Sequence, residues 1–212
     1  RSGSLANSIV SSRLLSRIAH AHGLEHHTTL TGFKWIARAP GLGFGYEEAI
    51  GFCPDPAHVR DKDGIATSVV AASLVAALKA QGRSVWDELE RLARLHGLHV
   101  SSPLTFRVEE IEQIASGMAR LRAQPPSVLA GSPVVEVSDL SQGYRGLPPT
   151  DGVLVLTEAG DRVIARPSGT EPKLKCYLEV ILPVTEGEPL PWEQAHERLD
   201  AIKGAFAEII GL

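Results

Sequence analysis

The chain has 212 residues, 43% of them hydrophobic and 22% charged, which suits a globular protein of one large domain or two modest ones. A net charge of −4 argues against a general nucleic-acid binder, and no apolar run reaches membrane-spanning length. Cys53 and Cys176 lie far apart without CxxC spacing, which argues against a disulfide framework or zinc site and fits a reducing cytoplasm. The opening Arg1–Ser4, without a methionine, reads as a tag remnant or a cut end.

In chain order, Ser8-Ile-Val10 ends a short strand, and Ser11 or Ser12 caps a helix carrying Leu14, Leu15, Ile18 and Ala19 that stops at Gly23. Residues 61–80 place Ile65, Val69, Val70, Leu74, Val75 and Leu78 around nearly the whole circumference of a helix, which predicts burial against a sheet. After Gly82, Ser84 and Asp87 form a weaker version of a capping box for a helix with Trp86, Leu89, Leu92 and Ala93 on its stripe. Strands alternating with helices of this length predict an α/β layer.

The second half differs in texture, and the break between them falls near Ser101-Ser-Pro103. Ile111, Ile114, Met118 and Leu121 mark one helical face, followed by a proline-, glycine- and serine-rich loop from Pro125 to Pro149. Val153–Leu156 and Arg162–Arg166 flank a hairpin signal, and Leu174, Cys176, Leu178, Val180 and Leu182 alternate with polar residues. Pro191 opens a final helix with Trp192, Ala195, Leu199, Ile202, Phe206 and Ile209 on one stripe. Strands plus helices to one side predict a small α+β domain with an antiparallel sheet.

The most informative segment is Arg166-Pro-Ser-Gly-Thr-Glu-Pro-Lys-Leu-Lys175. Arg166 offers a planar fork to phosphate oxygens, Ser168 and Thr170 offer hydroxyls, Gly169 admits close backbone approach, and Lys175 adds charge. An ordinary polar hairpin turn uses the same residue types. Phe44-Gly-Tyr-Glu-Glu-Ala-Ile-Gly51 sets two adjacent acids in a glycine-bounded segment, either a solvated acid pair or a loop that accepts hydrogen bonds from hydroxyls. Lys62 stands at a helix N-terminus, where an anion is favoured, although a plain N-cap explains the same residues. The cluster His20, His22, His26 and His27 matches no metal-ligand spacing.

These motifs, in this order, resemble the α-D-phosphohexomutases, the family of phosphomannomutases and phosphoglucomutases. The resemblance covers only the family's third and fourth domains. It implies a three-layer α/β sugar-binding domain over 5–103 and an α+β phosphate-binding domain over 104–212. Arg166, Ser168, Gly169, Thr170 and Lys175 then match the phosphate-binding loop, and Glu47 the sugar ligand, with Ala49 where the family has a serine. Lys62, and Thr31, Gly32 and Lys34 of a Thr-Gly loop, correspond to residues lining the same cleft.

The family's phosphoserine loop and its Asp-Gly-Asp-x-Asp-Arg magnesium loop are absent from these residues. The resemblance therefore implies that Mg²⁺ and the phosphoserine belong to an N-terminal half, with a glucose 1,6-bisphosphate-type activator, and that the isolated piece is inactive. The whole enzyme would interconvert hexose 1- and 6-phosphates through a bisphosphate. Other readings are pentose phosphate specificity, a stand-alone phosphosugar-binding or regulatory module, and a partner-docking domain.

Overall fold

β1 (Ser4–Ser8) and β2 (Glu25–Thr29) run parallel, so the chain must cross over between them, and α1 (Leu14–Ala21) makes that crossover. The computed structural model describes residues 3–169 and 171–211. The chain divides into two units, Arg1–Leu98 with Pro183–Leu190, and His99–Leu182 with Pro191–Leu212.

In the first unit α2 (Phe33–Ile36) leads to β3 (Leu42–Glu47) and β4 (Gly51–Cys53), giving a four-stranded sheet ordered β2-β1-β3-β4. β3 is parallel to β1 and antiparallel to β4. Ala6, Phe33, Ile36 and Cys53 form a buried cluster, with Ala39 and Leu42 packed against it. Ser4, within the residues expected to be a tag remnant, opens the first strand. It is buried in β1, and its hydroxyl donates to the Pro40 carbonyl at 2.6 Å.

α1 is not capped in the expected manner: Ser12 Oγ accepts from the Leu14 N–H at 3.1 Å, outside the N-cap position, which Arg13 occupies. α3 (Gly64–Ala80) is capped by Asp63, whose carboxylate accepts from the Ala66 N–H at 2.9 Å. α4 (Val85–His96) has a full capping box in which Ser84 and Asp87 bond reciprocally. The expected burial of α3 is not found, because within the described residues only Leu78 of this helix is buried. The stripe predicted for α4 is likewise mostly open: Trp86 and Leu89 are exposed, and Ala93 is its buried residue.

The second unit contains a six-stranded sheet. β5 (Leu98–Arg107) opens beside the Leu98/His99 boundary between the units and runs on through Ser101–Pro103. α5 (Ile111–Ala123) follows as predicted and buries Ile114, Met118 and Leu121. The expected loop over 125–149 instead holds β6 (Val128–Leu129), β7 (Ser132–Asp139) and a 3-10 turn at Leu140–Gln142. β8 (Val153–Thr157), β9 (Arg162–Pro167) and β10 (Lys173–Leu182) complete the order β5-β10-β9-β8-β7-β6. The pairs β7–β8, β8–β9 and β9–β10 are antiparallel.

α6 (Trp192–Ile210) packs on β10 and on α5. Its buried stripe is Ala195, Leu199, Ile202, Phe206 and Ile210, one position beyond the predicted Ile209, while Trp192 is exposed. Beneath the sheet lies a buried ionic group. His99 Nδ1 is 3.3 Å from Glu179 Oε1, and an Arg162 guanidinium nitrogen is 3.3 Å from Glu179 Oε2.

Candidate functional site

In the first unit, the adjacent acids at the end of β3 part company. Glu47 is 9% exposed, whereas Glu48 is exposed and accepts from Ser11 Oγ at 3.0 Å and Ser8 Oγ at 3.4 Å. The two carboxylates thus avoid sharing one low-dielectric site, which would be costly. Among the described residues the side-chain partner of Glu47 is Lys62, with Nζ 3.9 Å from Oε2. At that distance the pair is an ion pair without a close hydrogen bond. A largely buried carboxylate with so loose a partner keeps capacity to accept hydrogen bonds from ligand hydroxyls.

Lys62 is held from two sides. Its ammonium lies 4.8 Å from the Phe33 ring centroid, and its stem passes over Gly51 so closely that a Cβ there would be 2.8 Å from Cδ. Asp61 sits 3.4 Å from the same ammonium. The Lys62 backbone N–H, bonding to Asp61 at 2.7 Å, holds the Asp61 carboxyl below its usual range.

The Thr31–Lys34 loop reaches this group through Phe33 rather than through its polar residues. Gly32, at φ 112°, starts α2 in a conformation that favours glycine and so delivers Phe33 to the core. Lys34 is exposed and rests 5.9 Å from the Trp35 ring, away from any acid in the described contacts. The structure therefore brings Glu47 and Lys62 together and leaves Thr31 and Lys34 without a hydrogen bond to either. Of the histidines, His26 Nε2 meets Asn7 Oδ1 at 2.9 Å, and burial lowers its pKa, with His27 adding to the effect.

In the second unit, Arg166 and Lys175 are direct partners across β9 and β10, so both side chains leave one face of the sheet. Like charges placed opposite one another are unfavourable, and an anion between them reverses the sign. The strand ends are tied: the Ser168 N–H donates to the Lys173 carbonyl at 2.9 Å, and the Val108 N–H donates to Pro172 at 3.1 Å. Ser168 is half-buried and Gly169 exposed, with open space where a Cβ would stand. Thr170 lies outside the described residues.

Glu171 is the acid of this loop, and its carboxylate is bonded to Lys173. That bond holds its pKa below the ordinary value, with the charges of Arg107 and Lys175 acting in the same direction. Arg107, Lys173 and Lys175 thus lie around Glu171, and Arg166 stands opposite Lys175. Such a set can bind a dianion such as phosphate. No group of three or more His, Cys, Asp or Glu among the described residues is placed to hold a metal ion.

Sequence reasoning missed Phe33, Gly51 and Arg107. Each acts through contacts between segments apart in the sequence, which the local motifs around Phe33 and Gly51 do not reveal.

Two family descriptions match this chain. Residues 1–95 match the phosphoglucomutase/phosphomannomutase alpha/beta/alpha domain III, and residues 105–181 match the C-terminal domain of the same family. A probable phosphomannomutase of Haemophilus influenzae is 42% identical over 179 residues, covering 84% of this chain and 36% of that protein. A phosphopentomutase of Mus musculus is 30% identical, covering 96% of this chain and 36% of its own length. A phosphoglucomutase of Staphylococcus aureus is 32% identical over 84% of this chain. The crystal structure of parafusin from Paramecium, described as a phosphoglucomutase in its open form, covers 99% of this chain with a TM-score of 0.69 at 19% identity, which supports the fold.

The units are therefore an α/β domain and an α+β domain that match domain III and the C-terminal domain of one family. The chain belongs to the phosphoglucomutase/phosphomannomutase family. It spans about 36% of the length of the curated relatives it matches.

Proposed function

We propose that this chain is the sugar- and phosphate-holding C-terminal portion of a phosphomannomutase/phosphoglucomutase, which interconverts hexose 1-phosphate and hexose 6-phosphate through a phosphoserine and a bisphosphate. The observation that carries this reading is the cross-strand Arg166–Lys175 pair above the Ser168–Gly169 turn. It is a cationic cradle inside residues that match the family's C-terminal domain.

In the proposed mechanism Arg166 and Lys175 hold the phosphate that is not reacting, with Ser168, Gly169 and Thr170 supplying further donors. Glu47 accepts hydrogen bonds from ring hydroxyls, and Lys62 stands beside its carboxylate. Lys62 also adds positive charge near the N-terminus of α3, and Thr31, Gly32 and Lys34 line the cleft on the sugar's side. These groups bind and orient without breaking a bond, so their contribution is positional.

The phosphoserine, Mg²⁺ and a glucose 1,6-bisphosphate-type activator would belong to the remainder of the enzyme, and this portion alone would be inactive. Within the complete enzyme Mg²⁺ would neutralise charge on the transferring phosphoryl group. The identities to mouse and human phosphopentomutases, over 96% of this chain, favour pentose phosphate as the second reading.

Arg166→Ala in the complete enzyme tests the assignment. Loss of a charge-assisted, two-pronged contact lowers kcat/KM by roughly 10- to 150-fold, following about 1.5–3 kcal/mol for such a bond. An unchanged kcat/KM would leave the loop as surface decoration.

A further inference from the structure

α3 contradicts its own environment. The helix runs for 17 residues and Lys79 is its only charged side chain, yet Ile65, Val69, Val70, Leu74 and Val75 are 84, 63, 54, 50 and 48% exposed. Every residue from Ser68 to Ala77 is exposed. At roughly 100° per residue, Ile65 and Val69 share one side, Val70 and Leu74 a second, and Val75 a third. A helix that is apolar all round belongs inside a protein, and Leu78 alone meets that condition here.

We infer that α3 is a docking helix, enclosed on more than one side by the part of the complete protein that precedes domain III, and that this enclosure fixes the Lys62 end of the helix. Three observations favour that occupant. The chain accounts for only 36% of its relatives' length, so nearly two thirds of such a protein is available to cover the helix. The residues carrying α3 match a domain numbered third in its family, which leaves earlier domains as neighbours. A second copy of the chain fits less well, because a two-fold contact covers one patch, whereas three sides of α3 are apolar.

The consequence reaches the site. Asp63 caps α3, and Lys62, one residue earlier, touches both Glu47 and Phe33. Docking that immobilises α3 would therefore hold the Lys62 ammonium in register with Glu47. The inference rests on the reading of this chain as part of a longer mutase, but its test measures thiol protection, independently of sugar binding.

The experiment uses the complete protein with single substitutions Val69→Cys, Ala72→Cys and Leu74→Cys, labelled by a maleimide under native conditions. Glu186→Cys, at an exposed loop position, provides the fast reference, and the buried native Cys53 and Cys176 provide the slow one. Expected is labelling at all three helix positions at least about 100-fold slower than at residue 186, independent of protein concentration. Labelling at the reference rate would overturn the inference, and so would protection that disappears on dilution, which would assign the surface to a second copy. Amide exchange across residues 64–80 of the unsubstituted protein gives the same reading if a variant fails to fold. Slow exchange supports docking, and exchange at the rate of a frayed helix refutes it.

Discussion

Gly51→Ala probes the best-defined contact in the candidate site. Gly51 has no positive φ, so the backbone tolerates alanine, and the cost arises from space alone. The new Cβ would stand 2.8 Å from Lys62 Cδ, 2.9 Å from Lys62 Cγ and 2.9 Å from Phe33 Cε2. The Lys62 stem can swing aside because its side chain is half exposed. Phe33, 4% exposed and packed with Ile36 and Cys53, has much less room.

Overpacking of this kind costs about 1–3 kcal/mol, and displacement of the ammonium from the ring adds about 0.5–1 kcal/mol. Reduced freedom of the unfolded chain offsets about 0.4–1 kcal/mol. The expected net loss is about 0.5–3.5 kcal/mol, or roughly 2–28 °C in the melting midpoint of a unit of this size. Scanning calorimetry with near-ultraviolet circular dichroism measures it. Gly169→Ala is the control, since a Cβ there meets nothing within 4 Å. Equal midpoints for the two variants would refute the claim that Gly51 exists to let Lys62 and Phe33 approach.

Three further expectations concern charge. Glu179→Ala removes a carboxylate that is 1% exposed from between Arg162 and His99, and losing these buried charge-assisted contacts costs about 1.5–3 kcal/mol in chemical denaturation; a loss under about 0.5 kcal/mol would contradict this. Glu88 has its pKa lowered to about 2, chiefly by hydrogen bonding from Arg91 and then from Arg83. A depressed carboxyl stabilises fully above its unfolded value near 4.5 and loses that contribution as pH falls towards 2. Glu88→Gln is therefore less stable than the parent by about 0.5–1 kcal/mol at pH 7, and the difference shrinks steadily below pH 4.5; a difference independent of pH would refute the ion-pair account. In the complete enzyme, Lys175→Ala should lower kcat/KM in the same direction as Arg166→Ala, and the double variant should lose less than the sum, because both cations serve one phosphate.

Much of the second unit could be read directly from residue order. The alternation from Leu174 to Leu182 and the Glu158–Asp161 turn specify β8, β9 and β10, because a half-buried strand imposes a period of two. β7 escaped because Pro133 and three closely spaced valines break that alternation, and Val135 and Val137 are exposed. The cations, hydroxyls and glycine of Arg166–Lys175 lie in one contiguous segment, so the sequence alone could bring them together. By contrast, the Glu47–Lys62 pair joins residues on different elements, and Arg107 comes to Glu171 from β5, so only tertiary structure could assemble them. For α3 the periodicity correctly stated a need for burial, but periodicity does not name the surface that provides it.

The central proposal is that the Arg166–Lys175 loop binds the phosphate of a phosphosugar, and that Glu47 accepts hydrogen bonds from sugar hydroxyls. An amide NMR titration with mannose 1-phosphate, glucose 1-phosphate and ribose 1-phosphate tests it most directly, run on this chain and on the complete protein. The account predicts saturable shifts at Arg166, Ser168, Gly169 and Lys175 together with Glu47 in the complete protein, the strongest ligand marking the substrate class. No shifts at millimolar ligand in the complete protein would contradict it.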